Sequence, residues 1–328
     1  MALSNMQVFN QYYQPAIIEE LSQMVDKFNE ASRGAIQLTT DGFDGDFLQR
    51  SFFSALHSAK RRVDRYASNG TVSSTSLAQV KESAVKVAGG FGPILFEPGQ
   101  MTWLQKPTGE AIAHISKNFA EAMMQDQLNT AIAALVAALS VSSDSKYDGI
   151  ADVSPNVGIS QSTLNKSHAK FGDASASLVC QIMTGSVAHK LIGQALTNSG
   201  SLFTAGNVTV LDILGKAVVV TDAPALYEDA SPLDKEKVLS LTEGAAVVFD
   251  GGDMIANIET SNGKSRIETT FQADYTFGLA LKGYTWDTAS GGKSPTDAEL
   301  ATGSNWDRTV TSVKHSAGVI AIGDATVA

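Results

Sequence analysis

Residues 267–282 read IETTFQADYTFGLALK. The odd-numbered positions are mostly apolar, from Ile267 to Leu281, and the even-numbered positions are mostly polar, from Glu268 to Lys282. Alternation with a period of two is typical of a β-strand that buries one face. Sustained over about fifteen residues, it predicts a strand roughly 50 Å long, whereas typical strands have about five or six residues.

A second extended pattern begins after Pro107 and predicts a long helix. Thr108 is a suitable N-cap, and Glu110 falls in the first turn, where the helix dipole favours a carboxylate. At about 1.5 Å per residue this helix would be roughly 45–50 Å long, and residues 129–139 would be covered on most sides. Packed along the strand, it would form an elongated slab that suits the tiling of a surface. Its apolar face repeats at spacings of three and four, at Ile112, Ile115, Phe119, Met123, Met124, Leu128, Ile132, Leu135 and Leu139.

Two segments before this helix carry patterns of their own. Ile17, Leu21, Val25 and Phe28 predict an amphipathic helix over residues 14–31, which either docks on the core of this chain or forms an arm that packs on a partner. Residues 35–100 predict a long hairpin, because β-like runs at 48–56 and 76–87 flank a charged tip with Asn-Gly at 69–70. The hairpin has little apolar material from which to build a core of its own.

Residues 145–250 alternate between helix-like and strand-like pieces, which predicts a compact α/β layer with its own core. The pattern leaves open how residues 288–328 divide between this layer and the slab. We expect helices at 160–171 and 186–196, and strands at 178–183, 208–214, 217–220 and 245–249.

Composition limits the class of protein. The chain has 328 residues, of which 43% are hydrophobic and 18% charged, so it is globular, with one large domain or two. The net charge of −10 argues against non-specific wrapping of nucleic acid, although an acidic lining around packed DNA stays open. The single cysteine, Cys180, excludes an internal disulfide and a cysteine-based zinc site, and its apolar neighbours predict a core residue. There is no secretory signal and no long apolar run, so we expect a cytoplasmic protein.

No catalytic, cofactor or metal site is predicted. Asp287 stands where a phosphate-binding loop ending at Gly292 would need a glycine, and no GxGxxG or GxSxG motif occurs. The histidines are scattered, without the i, i+4 pair of a helical zinc site. The acidic residues within 41–46 lack the spacing of a calcium loop and indicate a solvated turn.

The best candidates for contact with another subunit lie in the N-terminal segment and the hairpin. Three interpretations stay open for the basic run at the hairpin tip: pairing with an acidic neighbour, bare surface, or contact with nucleic acid. The candidate set is Ile17, Leu21, Arg50, Phe52, Phe53, Lys60, Arg61, Arg62 and Arg65.

The order of these elements resembles the major capsid proteins of tailed phages with the Hong Kong 97 fold. Local stretches are similar too: LGKAVVVTDAP at 214–224, LNTAIAA at 128–134, KGYTWD at 282–287 and SNWD at 304–307. The likeness covers essentially the whole chain. It implies an α+β fold with an N-terminal arm over 1–34, an E-loop over 35–100, a spine helix over 101–141, an A-domain over 142–250, and P-domain strands with the C-terminal region over 251–328.

The resemblance implies a coat protein that forms pentamers and hexamers of an icosahedral head around double-stranded DNA. The expected partners are further copies of the chain, a scaffolding protein, a portal and a possible decoration protein, with assembly in the bacterial cytoplasm and no membrane. No long N-terminal extension is present, which suggests a separate scaffolding protein or a chain already in mature form. Some relatives cross-link through a Lys on the loop and an Asn in a neighbour; neither is matched here, so that chemistry is not carried over.

Two alternatives to the coat protein stay open. One is an encapsulin-like nanocompartment shell of the same fold, which encloses a protein cargo. The other is an enzyme that uses the 145–250 layer, for which none of the expected motif spacings occurs.

Overall fold

The structure of the protein is a computed structural model that describes most of the chain. The described residues are 28–42, 49–53, 62, 65, 66, 68, 71, 79–96, 108–197, 216–230, 233–263, 265 and 268–327. The helices are α1 (Thr108–Val141), α2 (Gln161–Ala169), α3 (Gly185–Thr197), α4 (Thr288–Gly291) and α5 (Asp297–Leu300). The strands are β1 (Ile36–Gly42), β2 (Gln49–Phe53), β3 (Gln79–Ser83), β4 (Val85–Phe96), β5 (Lys146–Asp148), β6 (Leu178–Met183), β7 (Ala217–Val220), β8 (Tyr227–Glu228), β9 (Lys235–Thr242), β10 (Ala246–Asp250), β11 (Ile255–Ser261), β12 (Glu268–Leu281), β13 (Tyr284–Trp286), β14 (Trp306–Arg308) and β15 (Gly318–Asp324).

The predicted long strand is confirmed as β12, which has 14 residues and spans about 46 Å. Its odd positions from Phe271 to Leu281 are all buried, whereas Gln272 and Asp274 are exposed on the other face. β12 is the centre of a five-stranded sheet: β4 pairs along one edge, and β11 and then β10 pair along the other. β1 adds to β10 in parallel.

The predicted long helix is confirmed as α1, which has 34 residues and is about 51 Å long. Its predicted apolar face is buried at Phe119, Met123, Ile132, Leu135 and Leu139. The last third is buried nearly all round, as expected for residues 129–139, because α1 contacts β10 and β12 of the first sheet and β5 and β15 of a second. The main core therefore lies along this helix.

The second sheet has six strands in the order β5-β15-β9-β6-β7, with β8 beside β9. Helices α2 and α3 and the strands β6 and β7 confirm the elements predicted within 145–250. A second core cluster between α2, α3 and this sheet contains Ile159, Leu164, Val187 and Leu191. The strand predicted at 208–214 lies outside the described residues.

Two placements differ from what the sequence indicates, and a third concerns strand β15, whose sheet the sequence leaves open. The strand expected at 245–249 forms as β10, but it belongs to the sheet of β12, because its Val248 packs with the core along α1 and its main chain pairs with 277–281. Strand β15 joins the second sheet, between β5 and β9. The run 76–87 contains a break at Ala84, so that β3 belongs to the hairpin and β4 to the first sheet.

The predicted hairpin forms as β2 and β3, which are antiparallel with Gln49 opposite Ser83 and Phe53 opposite Gln79. Both ends of the 35–100 segment, β1 and β4, lie in the first sheet. The domain boundaries given above stay a prediction.

Candidate assembly surfaces

Helix α1 and strand β12 are joined by an aromatic seam. Phe119 of α1 meets the ring of Phe91 edge-on at 5.1 Å and that of Phe271 at 6.0 Å, and Tyr275 stacks on Phe91 at 5.8 Å. Such pairs add about 0.5–1.5 kcal/mol each beyond the apolar area that they bury. The seam packs the helix directly against the sheet that contains the long strand.

A polar bond reinforces this seam. The hydroxyl of Tyr275 donates to Oδ2 of Asp126 at 2.5 Å, and Tyr275 is only 3% exposed. Burial, followed by the bond to the Asp126 carboxylate, raises the pKa of Tyr275 well above its ordinary value. The tyrosine therefore stays a hydrogen-bond donor over the whole working pH range.

The hairpin is anchored to the body at its base. Oε1 of Glu82 accepts from the main-chain N–H of Gly283 at 3.0 Å, and the N–H of Ser83 donates to Oγ1 of Thr285 at 3.0 Å. Both bonds tie β3 to the loop and strand that follow β12. The hairpin is therefore attached to the rest of the protein at the end where β2 begins and β3 ends.

The candidate contact residues of the hairpin lie on β2 and in the tip beyond it. Arg50, Phe52 and Phe53 have main-chain partners Glu82, Val80 and Gln79 in β3, which places Arg50 next to the base and Phe53 at the far end. Lys60 and Arg61 lie outside the described residues, as do Ile17 and Leu21 of the N-terminal segment.

Two basic residues of the tip are described, and both are exposed. Arg62 and Arg65 are open to solvent, and the guanidinium of Arg65 lies 5.9 Å from the ring centroid of Tyr66. Tyr66 itself is 93% exposed. The candidate set drawn from the sequence includes Arg62 and Arg65 but not Tyr66, although an aromatic residue stands within this basic run.

A serine–histidine pair in the second sheet bears on the enzyme alternative. Nε2 of His168 lies 2.9 Å from Oγ of Ser240 and 3.2 Å from Nε2 of Gln181. Among the described residues, no carboxylate bonds to Nδ1, and all three side chains are buried, so the pair lacks both the orienting acid of a catalytic triad and access for a substrate. The pair braces α2 against β6 and β9.

Other buried ionisable groups of this sheet also have structural roles. Burial, together with the positive charge of Lys216, lowers the pKa of His168 to about 4. Burial raises the pKa of the Cys180 thiol to about 11, so this residue is the inert core cysteine that the sequence predicts. The Lys216 ammonium donates to the carbonyl oxygens of Leu178 and Ser175.

Neither a metal nor a membrane segment is indicated in the part of the chain that the structure describes. Its His, Cys, Asp and Glu side chains form no group of three or more that could hold an ion. None of its helices is long and apolar enough to cross a bilayer.

The comparisons with known proteins decide the family. A family model described as Gp13-like, major capsid protein 13-like, matches residues 5–320. The chain belongs to the major capsid protein 13-like family. Comparison with curated protein sequences gives no match.

A solved structure supports the architecture of this capsid protein. The cyanophage Pam1 capsid asymmetric unit is similar at a TM-score of 0.51 and 14% identity, over 75% of this chain and 84% of that chain. The capsid of Ralstonia phage GP4 has a TM-score of 0.47 at 11% identity, over 77% and 84%. The holo-SrpI encapsulin complex from Synechococcus elongatus PCC 7942 has a TM-score of 0.49 at 7% identity, over 88% and 85%.

The capsid protein thus has the Hong Kong 97-like fold of tailed phages, as the sequence indicates. Its place is the virion capsid, a shell built from many copies of the chain, and its family is one of structural proteins rather than enzymes. A coat protein acts through contacts between its surfaces. The candidate surfaces for such contacts are the hairpin, the faces of the two sheets and the N-terminal segment.

Proposed function

We propose that this coat protein forms pentamers and hexamers that close an icosahedral head around double-stranded DNA. The observation that supports this is the hairpin held at its base by Glu82 and Ser83, with exposed residues Arg62, Arg65 and Tyr66 beyond its far end. A two-stranded ribbon of this kind stays marginal until it packs on something else. Another copy of the chain supplies that surface.

The proposed division of labour follows the domain boundaries given above. The slab of α1 and β12 serves as the rigid tile, the second sheet with α2 and α3 as a separate packing unit, and residues 1–34 and 35–100 as connections to neighbours. Burial of apolar groups in those connections at about 25 cal/mol per Å² supplies much of the association energy. Ile17, Leu21, Phe52 and Phe53 are the apolar members of the candidate set.

The remaining partners follow from the same proposal. A scaffolding protein and a portal guide assembly in the bacterial cytoplasm, and a decoration protein is a possible later addition. The net charge of −10 supports enclosure of DNA without tight or sequence-specific binding, since a protein that neutralises phosphates needs an excess of Lys and Arg.

The test is electron microscopy of size-exclusion fractions of the chain, expressed alone and together with the genes that neighbour its own. Closed shells or capsomer rings are expected in at least one of the two conditions, with DNA inside the particles recovered from infected cells. A protein that stays monomeric or dimeric under both conditions would contradict the proposal, and particles filled with a protein cargo would favour the nanocompartment alternative.

A further inference from the structure

The turn between strands β11 and β12 contains an Asn-Gly pair, Asn262 followed by Gly263. The two strands pair as far as Ser261 opposite Glu268, so Asn262 and Gly263 lie beyond the last pair of the ladder. Both residues are exposed. Within the described part of the chain, neither the side-chain amide of Asn262 nor the main-chain N–H of Gly263 has a hydrogen-bond partner. The pair is therefore fixed by neither the sheet nor the core.

The conformation of Gly263 leaves the space around its nitrogen open. Its φ is +103°, in a region that residues with a side chain rarely adopt, and a Cβ built there would meet nothing within 4 Å. An asparagine side chain can reach the main-chain nitrogen of the next residue to close a five-membered ring. Where the next residue is glycine, no Cβ stands between that nitrogen and the amide carbon. The exposed turn thus brings together a side-chain amide and an unhindered nitrogen.

We propose that Asn262 is a site of spontaneous deamidation, and that Gly263 makes it reactive. The main-chain nitrogen of Gly263 gives up its proton and forms a bond to Cγ of Asn262. The bond from Cγ to the side-chain nitrogen breaks, and that nitrogen leaves as ammonia. Water then opens the succinimide ring at either of its two carbonyl carbons, which gives aspartate or isoaspartate. The only co-reactant is water, and nothing is oxidised or reduced.

The modification changes both the charge and the main chain of the turn. Either product adds a negative charge at the open end of β11 and β12, and isoaspartate also adds a methylene to the main chain after Ser261. The loss of the proton from the nitrogen makes the reaction faster as the pH rises. A preparation of the protein should therefore become more acidic with age. This inference does not depend on assembly into a shell.

The same strand supplies an internal control. Asn257 is also exposed, but it lies within β11 opposite Gln272, and the ladder fixes its main chain. The next residue, Ile258, is branched at Cβ, which crowds the nitrogen that would have to attack. Exposure alone would make the two asparagines equally reactive, whereas the proposed ring closure favours Asn262.

Peptide mass spectrometry of the full-length protein tests the proposal. The protein is kept at mildly alkaline pH, and samples taken over time are cleaved after glutamate at mildly acidic pH. Cleavage after Glu259 places Asn257 and Asn262 in different peptides. We expect Asn262 to be converted at least about tenfold faster than Asn257, which corresponds to an activation free energy lower by about 1.4 kcal/mol. Isoaspartate, detected by labelling with an isoaspartyl methyltransferase, should form together with aspartate.

Two variants test the role of the ring. Gly263→Ala adds a Cβ beside the attacking nitrogen and should slow the conversion of Asn262 by a similar factor. Asn262→Gln lengthens the side chain by a methylene at an exposed position, so closure would need a six-membered ring and the peptide should keep its mass. Circular dichroism of both variants checks that the fold is kept. Equal conversion of Asn257 and Asn262, aspartate without isoaspartate, or conversion at the original rate in either variant would overturn the proposal.

Discussion

The bond between Tyr275 and Asp126 should contribute measurably to the stability of the slab. Replacing Tyr275 by Phe keeps the ring and its stacking on Phe91 but removes the hydroxyl that donates to the carboxylate at 2.5 Å. A hydrogen bond to a charged group is worth about 1.5–3 kcal/mol. Since Asp126 is only partly buried and regains water after the change, we expect a loss near the lower end, about 1.5 kcal/mol.

The assay is urea unfolding of the unassembled protein at low concentration, followed by tryptophan fluorescence. Trp286 and Trp306 are 2% and 3% exposed and pack edge-on at 4.9 Å, so their emission reports on loss of the core. Tyr275→Phe, Asp126→Asn and the double variant form a cycle with an expected coupling of about 1–2 kcal/mol.

The matched control for this cycle is Tyr147→Phe. Tyr147 is also buried, but its hydroxyl has a long bond of 3.4 Å to Nζ of Lys166. The reasoning is refuted if the coupling is below about 0.5 kcal/mol, the usual error of additivity. It is equally refuted if Tyr275→Phe costs no more than the control.

Two further predictions concern the second sheet and the region after β12. The pKa of His168 is about 4 in the folded protein, below its ordinary value of 6.5, so on acidification the unfolded chain binds the proton first. The free energy of unfolding should therefore fall as the pH drops from about 6.5 to 4, by up to about 3 kcal/mol. Above about pH 6.5 this histidine should cause no loss of stability. His168→Gln should flatten that pH dependence in urea unfolding, and an unchanged slope would contradict the assignment. A Cβ at Gly291 would overlap the Trp286 ring, so Gly291→Ala should cost about 1–3 kcal/mol in the same assay. The control is Gly193→Ala in helix α3, where the added Cβ would have nothing within 4 Å and should stabilise the protein by about 0.5–1 kcal/mol. If the two substitutions changed the free energy of unfolding equally, the clash with Trp286 would be excluded.

The elements predicted best are those whose pattern is a local property of the chain. Strand β12 alternates because one face is buried along its whole length, and α1 repeats its apolar residues because one face lies on the core. Strand β9 was missed because it begins Lys-Glu-Lys. Its Glu236 is buried with two partners on α3: Nζ of Lys190 donates to it at 3.0 Å and Oγ of Ser186 at 2.8 Å. Strand β15 is buried on both faces and shows no alternation to read.

Local sequence patterns predict neither which strands pair with each other nor where pockets form. Nothing in residues 245–249 indicates that β10 pairs with β12 rather than with the strands of the second sheet, because main-chain pairing is the same in both. A pocket at the hairpin base brings together residues 82–84, 244–249 and 280–284, which meet only after the fold has formed. The nine candidate contact residues stay a prediction, and the structure places exposed Tyr66 beside one of them, Arg65.

The long pairing of β4 with β12 has a mechanical consequence. Its register runs from Phe96 opposite Thr269 to Val85 opposite Leu279, interrupted by one irregularity between Phe271 and Ala273. Interstrand hydrogen bonds in an antiparallel pair lie perpendicular to the strands. A pull along the strand axis therefore strains all of these bonds at once, whereas a pull across it would open them one after another. If the β4–β12 pair lies in the wall of a closed shell, the protein best resists a stretching force that acts along these strands. It is weakest against a force that peels the base of the hairpin, and β4 with it, away from the sheet.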